Sequence, residues 1–179
     1  MEKELTIPVG AVVERRRIDN PWAEWAWKPV AALADPPPAA GWRVLQSEGD
    51  VTQFFAGRTE LSLHRKLVEA YRINLAGDEP LLWIVLADAD AEAETDSDYP
   101  YVLHMVTASP YDAQDFLDSG DGIVEAVPMP EAIVARLVAF VKAHPEEEVF
   151  KKRKRDRVDV EEHKFGNQPI FLRTDRPVK

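Results

Sequence analysis

The chain has 179 residues, a formal net charge of −10, 45% hydrophobic residues and no cysteine. That length suits one domain with a tail, and that hydrophobic fraction supplies a core. The missing cysteine excludes disulfides, a thiolate nucleophile and cysteine-ligated zinc or iron–sulfur centres.

Thirty-two acidic against 22 basic residues make a poor general nucleic-acid binder, since phosphate contacts need clustered cations. The mean hydropathy is −0.32 and the longest apolar run is Leu81 to Ala87. A membrane-spanning helix needs about 20 apolar residues, so none is expected. The start, MEKEL, lacks the basic and apolar stretches of a signal peptide. The expected compartment is a bacterial-type cytosol.

In chain order, residues 5–14 (LTIPVGAVVE) read as a β-branched strand that Pro8 and Gly10 mark as an edge or a bulge. Asp19-Asn20-Pro21 is a turn signal. Odd positions from Trp25 to Leu33 share one face of the next strand, so Trp25 and Trp27 point together into the core. Pro36-Pro37-Pro38 is a stiff connection. Three short strands follow, at 42–47, 51–56 and 59–65, separated by Glu48-Gly49-Asp50 and Ala56-Gly57-Arg58. Residues 67–75 fit a helical stripe and also a strand, with a short helix preferred. Leu81–Leu86 and Tyr101–Ala108 read as buried strands, joined by the acidic run Asp88 to Asp98.

Ser109 caps a helix, with Pro110 at its first position and Asp112 at its third. Ser119-Gly120 ends it. Ile123–Val127 is a short strand. A last helix begins near Pro130, carries Ile133, Leu137 and Phe140 at helical spacing, and stops at His144-Pro145. Strands early and helices late predict an α+β fold, a mainly antiparallel, curved sheet with two or three helices in the second half. Residues 1–145 form the expected domain; residues 146–179 form a charged, flexible tail.

No arrangement identifies a reaction. His64, His104, His144 and His163 have no partners at metal-ligand spacing. No G-x-S-x-G surrounds a serine, and the acidic run lacks the glycine and closing glutamate of a calcium loop. Ser119-Gly120-Asp121-Gly122 could form an anion nest, though a helix stop and tight turn explains it better. No catalytic residue, metal or cofactor is assigned.

Interaction features stand out more. ERRRIDNPWAEWAWK at 14–28 sets three arginines beside three of the five tryptophans. Its turn offers Arg15, Arg16, Arg17, Asp19 and Trp22 as partner contacts, because arginine and tryptophan are favoured interface anchors. Six of the seven residues from Lys151 to Arg157 are basic. Phe150, Lys151, Lys152, Arg153, Lys154 and Arg155 are therefore a second candidate contact. No interleaved aromatic suits that run to stacking bases.

Four stretches carry a family resemblance: IPVGAVVERRRIDNPWAEWAWKPVAAL at 7–33, EAYRINL at 69–75 with PLLWIVL after it, VTASPYDAQDFLDSGDGIVEAVPMP at 106–130, and FKKRKRDR at 150–157. Through them the chain resembles the bacterial DUF3305 family. The resemblance brings no established activity. It implies a setting near formate dehydrogenase and its maturation factors, and hence a cytosolic accessory protein with one of these as protein partner. A pterin-cofactor protein is the alternative, and it would require several of Arg15, Arg16, Arg43, Arg58, Arg65 and Arg72 to converge. RNA binding through the basic run is a third.

Overall fold

The computed structural model describes residues 3–38, 41–89 and 98–145. Two antiparallel sheets enclose the core. The first runs β2 (Trp25–Ala34), β1 (Glu4–Arg17), β4 (Val51–His64), β3 (Arg43–Glu48); the second runs β6 (Tyr101–Thr107), β5 (Leu81–Asp88), β7 (Ile123–Pro128). β4 lies beside β6, and β2 beside β7. The two sheets thus curl toward a closed barrel, with β3 extending past the junction as an open edge. The expected antiparallel α+β fold is found, with its strands sorted into two sheets.

Alternation explains the inner wall. Ile7, Val9, Ala11 and Val13 of β1 are buried with Leu61 and Leu63 of β4, and they meet Leu82, Ile84, Leu86, Val106 and Val127 of the second sheet. The opposite side of β5 presents Val85 toward α2 (Pro110–Ser119), whose Ala113 is also buried.

The expected interruption of β1 needs correction. β1 is an interior strand of 14 residues, and both irregularities fall in its neighbours. Opposite Val12 and Val13, β2 has an extra residue, Val30; opposite Ala11 and Val12, β4 has an extra residue, Ala56. Gly57, at φ 138°, accommodates the second bulge. The turn expected at Ala56-Gly57-Arg58 is this bulge, and the two strands expected at 51–56 and 59–65 are one. Pro8 is tolerated because its carbonyl accepts from Asp35 N at 3.1 Å. Its nitrogen therefore faces the same side, where the β2 ladder has just ended.

The Val30 bulge also shifts the phase of β2. Trp25, Trp27, Pro29, Ala32 and Ala34 pair with inward residues of β1, while Leu33 turns out and is 40% exposed. On the outer side of the first sheet Phe55 covers Gly10. A Cβ there would sit 2.6 Å from its ring, which is why residue 10 has none.

A 3-10 turn (Arg65–Leu67) leads into α1 (Val68–Leu75), which settles the ambiguous segment as helix. α1 packs against α3 (Glu131–Ala143). Tyr71 and Phe140 meet edge to face at 6.3 Å, and Ile133 and Leu137 complete that end of the core. The predicted cap of α2 is present: Asp112 N donates to Ser109 Oγ at 3.3 Å, and Gly120 ends the helix in the left-handed conformation. The expected tail at 146–179 lies outside the described residues, as does most of the acidic run.

Candidate functional site

The helices gather at the C-terminal end of β4. The β1–β2 hairpin tip lies at the other end, up to about 40 Å away along a 14-residue strand. Its loop is well fastened. Ile18 N donates to Glu24 O at 3.0 Å, closing the loop, and Arg17 N donates to Asp50 O at 3.0 Å, tying it to the β3–β4 turn. Trp22 N donates to Asn20 Oδ1 at 2.8 Å, an Asx turn around Pro21. These bonds hold the Trp22 indole in water, 92% exposed. Arg17, Asp19, Trp22, Glu24 and Asp50 line an open concavity of about 670 Å³.

Strand alternation divides the three arginines. Arg16 points to the outer side with Glu14, its Nη2 3.0 Å from Glu14 Oε1, and Gln53 Nε2 also donates to Glu14 at 3.4 Å. The hydrogen bond from Arg16 holds the Glu14 carboxyl below the usual glutamate range, against the opposing effect of its partial burial. Arg17 lies 3.8 Å from Glu24. Arg15 faces inward with Val13, opposite Trp27 on one side and Thr52 on the other.

Arg15 there rests on aromatic rings. Its guanidinium carbon is 4.2 Å from the Trp25 ring centre, 5.3 Å from Phe54 and 5.6 Å from Trp27. Contacts of this kind contribute about 0.5–2 kcal/mol, more as water is excluded. Trp27 in turn touches Trp42 at 5.8 Å, Phe54 at 5.7 Å, and Tyr99 and Tyr101 at 6.3 Å each. Tyr99 stacks on Trp42 at 4.8 Å. Burial pushes the Tyr101 hydroxyl's pKa up, and Asp88 adds to it. Trp25 and Trp27 are thus half-buried walls of an aromatic slab rather than fully enclosed core. Sequence reading missed Phe54 as a neighbour of Arg15, and Trp42, Tyr99 and Tyr101 as neighbours of Trp27, because distant segments deliver them. The parity of Arg15 with Val13 was the available signal.

The six arginines that a pterin pocket would need do not converge. Arg15 lies over the slab, Arg16 on the other side of the sheet, and Arg43 over Phe55 at 5.1 Å. Arg58 follows the bulge, Arg65 follows the far end of β4, and Arg72 reaches Glu69 and the His144 carbonyl on the helices. Among the described residues no three His, Asp or Glu side chains cluster as a metal site. His64 lies 3.8 Å from Glu4, and His144 is buried with Nδ1 2.9 Å from Phe140 O. His104 is the bulged residue of β6 and is exposed against Phe116. The 119–122 turn spends its donors internally: Gly120 N goes to Leu117 O and Asp121 N to Ser119 Oγ. Phe150, Lys151, Lys152, Arg153, Lys154 and Arg155 lie outside the described residues.

Fold and site together define an α+β protein of two antiparallel sheets, with a corner of arginine and aromatic side chains at one end. The family described as Protein of unknown function (DUF3305) matches residues 8–154, and the chain belongs to it. No curated protein and no solved structure matches the chain. No described helix is long and apolar enough to cross a membrane.

Proposed function

We propose that this protein is a non-enzymatic accessory protein that binds a protein partner through the β1–β2 corner. Trp22 carries the reading: a large indole held 92% exposed on a turn fastened by two backbone hydrogen bonds and one from Trp22 N to the Asn20 side chain. An exposed loop gains nothing in stability from such a side chain, whereas a tryptophan buried at an interface brings about 150–250 Å² of contact. Asp19, Arg16 and Arg17 are the polar contacts around it, and the basic segment from Phe150 to Arg155 adds a second contact. The domain boundary falls near 145, and the protein works in the cytosol.

The candidate partner is a molybdenum- or tungsten-dependent formate dehydrogenase or one of its maturation factors, the setting that the resemblance implies. The test is affinity purification of the tagged protein and of Trp22→Ala from the host. The reading expects such an enzyme or factor with the parent and its loss with the variant. Recovery of neither with the parent, or equal recovery with both, overturns it.

A further inference from the structure

We infer that Arg15 is a carboxylate-recognition site, built to receive one aspartate or glutamate side chain of a protein partner. The inference rests on the corner being a partner surface and names the chemistry recognised there.

Three consecutive arginines meet different fates. Arg16 is matched by Glu14 and Arg17 by Glu24. The Arg15 side chain makes no hydrogen bond and no ion pair with any described residue. Its Nε is sealed from solvent without an acceptor, while its two Nη nitrogens are not sealed. A guanidinium seated on Trp25, Trp27 and Phe54 has lost much of its freedom to reorient. Such a fork, with its outer donors unused, suits the two oxygens of a carboxylate, and the ordering of the arginine is already done. The rings beside it offer apolar contact to the methylene stem that carries the acid.

The surroundings choose a carboxylate over a phosphate. Glu24 directly precedes Trp25, and with Asp19 and Asp50 it lines the concavity at the same hairpin tip. A single guanidinium on a chain whose formal net charge is −10 accommodates one negative charge more readily than a dianion.

The test uses the full chain with isotope-labelled arginine. Side-chain N–H resonances of Arg15 are assigned by their loss in Arg15→Lys and followed during titration with acetyl-Gly-Phe-Glu-Gly-amide. Two control titrations use the glutamine analogue and inorganic phosphate. The expected result is a saturable shift of Arg15 with the glutamate peptide, about tenfold weaker with the glutamine analogue. Arg16 and Arg17 should stay in place. No Arg15 shift at millimolar peptide overturns the assignment. An equal shift with the glutamine analogue or with phosphate overturns it too, the latter showing an adventitious ion only. Because the titration reads the isolated protein, its failure leaves Trp22-dependent capture standing, and failed capture leaves the Arg15 shift standing.

Discussion

The Asn74 side chain grips Leu81 on both sides of its backbone: Nδ2 donates to Leu81 O at 2.8 Å, and Oδ1 accepts from Leu81 N at 2.9 Å. The same Nδ2 also donates to Ala108 O at 2.8 Å. One buried amide therefore joins the end of α1 to the start of β5 and the residue after β6. Asn74→Ala leaves two carbonyls and one N–H without partners, at a cost of about 3 kcal/mol. Asn74→Asp should be worse, since a carboxylate cannot donate to either carbonyl. Urea denaturation of the three proteins checks the order.

Tyr71 accepts a hydrogen bond from His64 N at 3.1 Å, and burial raises its pKa above the usual tyrosine value. A raised folded-state pKa means the contribution is fully present below the unfolded value of about 10 and is lost as pH climbs through the folded one. Tyr71→Phe should cost about 1–2 kcal/mol at neutral pH, from the unpaired His64 N–H. The variant should also lose less stability than the parent on going to alkaline pH. Unfolding curves at pH 8 and above pH 10 decide it.

Glu14 has the opposite sign. Its pKa is lowered, first by the hydrogen bond from Arg16, so its contribution is present above the ordinary glutamate value and lost as pH falls through the folded-state one. Arg16 is largely exposed, so the whole effect should stay below about 1 kcal/mol. Glu14→Gln should therefore be slightly less stable than the parent at pH 7 and equal to it near pH 3. A matched pair of urea midpoints measures this.

Gly122 sits at φ 74°, and a Cβ there would lie 2.0 Å from Leu86 O. Neither the backbone nor the contact can yield cheaply, because Leu86 is a buried residue of the central β5. Gly122→Ala should cost at least about 2 kcal/mol, read as a fall in thermal midpoint.

Trp22→Ala should change stability by no more than about 0.5 kcal/mol, since its indole touches water on almost every side. A large loss of stability would mean that the side chain supports the hairpin, and the case for it as a partner anchor would fall.

Caps, turns and the buried strands were legible because single residues with strong local chemistry mark them. Ser109, Gly120 and the Asn20-Pro21 turn appear where local rules place them. What escaped reading depends on pairing between distant segments. A bulge leaves no local mark: Ala56-Gly57-Arg58 has the composition of a turn, and only its alignment with Ala11 and Val12 makes it an irregularity within one strand. Leu33 was misplaced for the same reason, since its face is decided by Val30 opposite β1. The rings against Arg15 come from β2 and β4, and Tyr99 on Trp27 from the approach to β6, so no window of sequence contains them.

The bulge at Ala56 gives β4 something like a reading frame. Upstream of it, Thr52 and Phe54 face inward on even numbers; downstream, Leu61 and Leu63 do so on odd numbers. The extra residue is the comma between the two phases. Chain-length changes should therefore be tolerated very unevenly. Removing Ala56 would rotate one half of the strand outward, exposing either the Leu61–Leu63 core or the Phe54 floor beneath Arg15. Alanine at position 56 can thus vary in kind far more readily than it can vary in number.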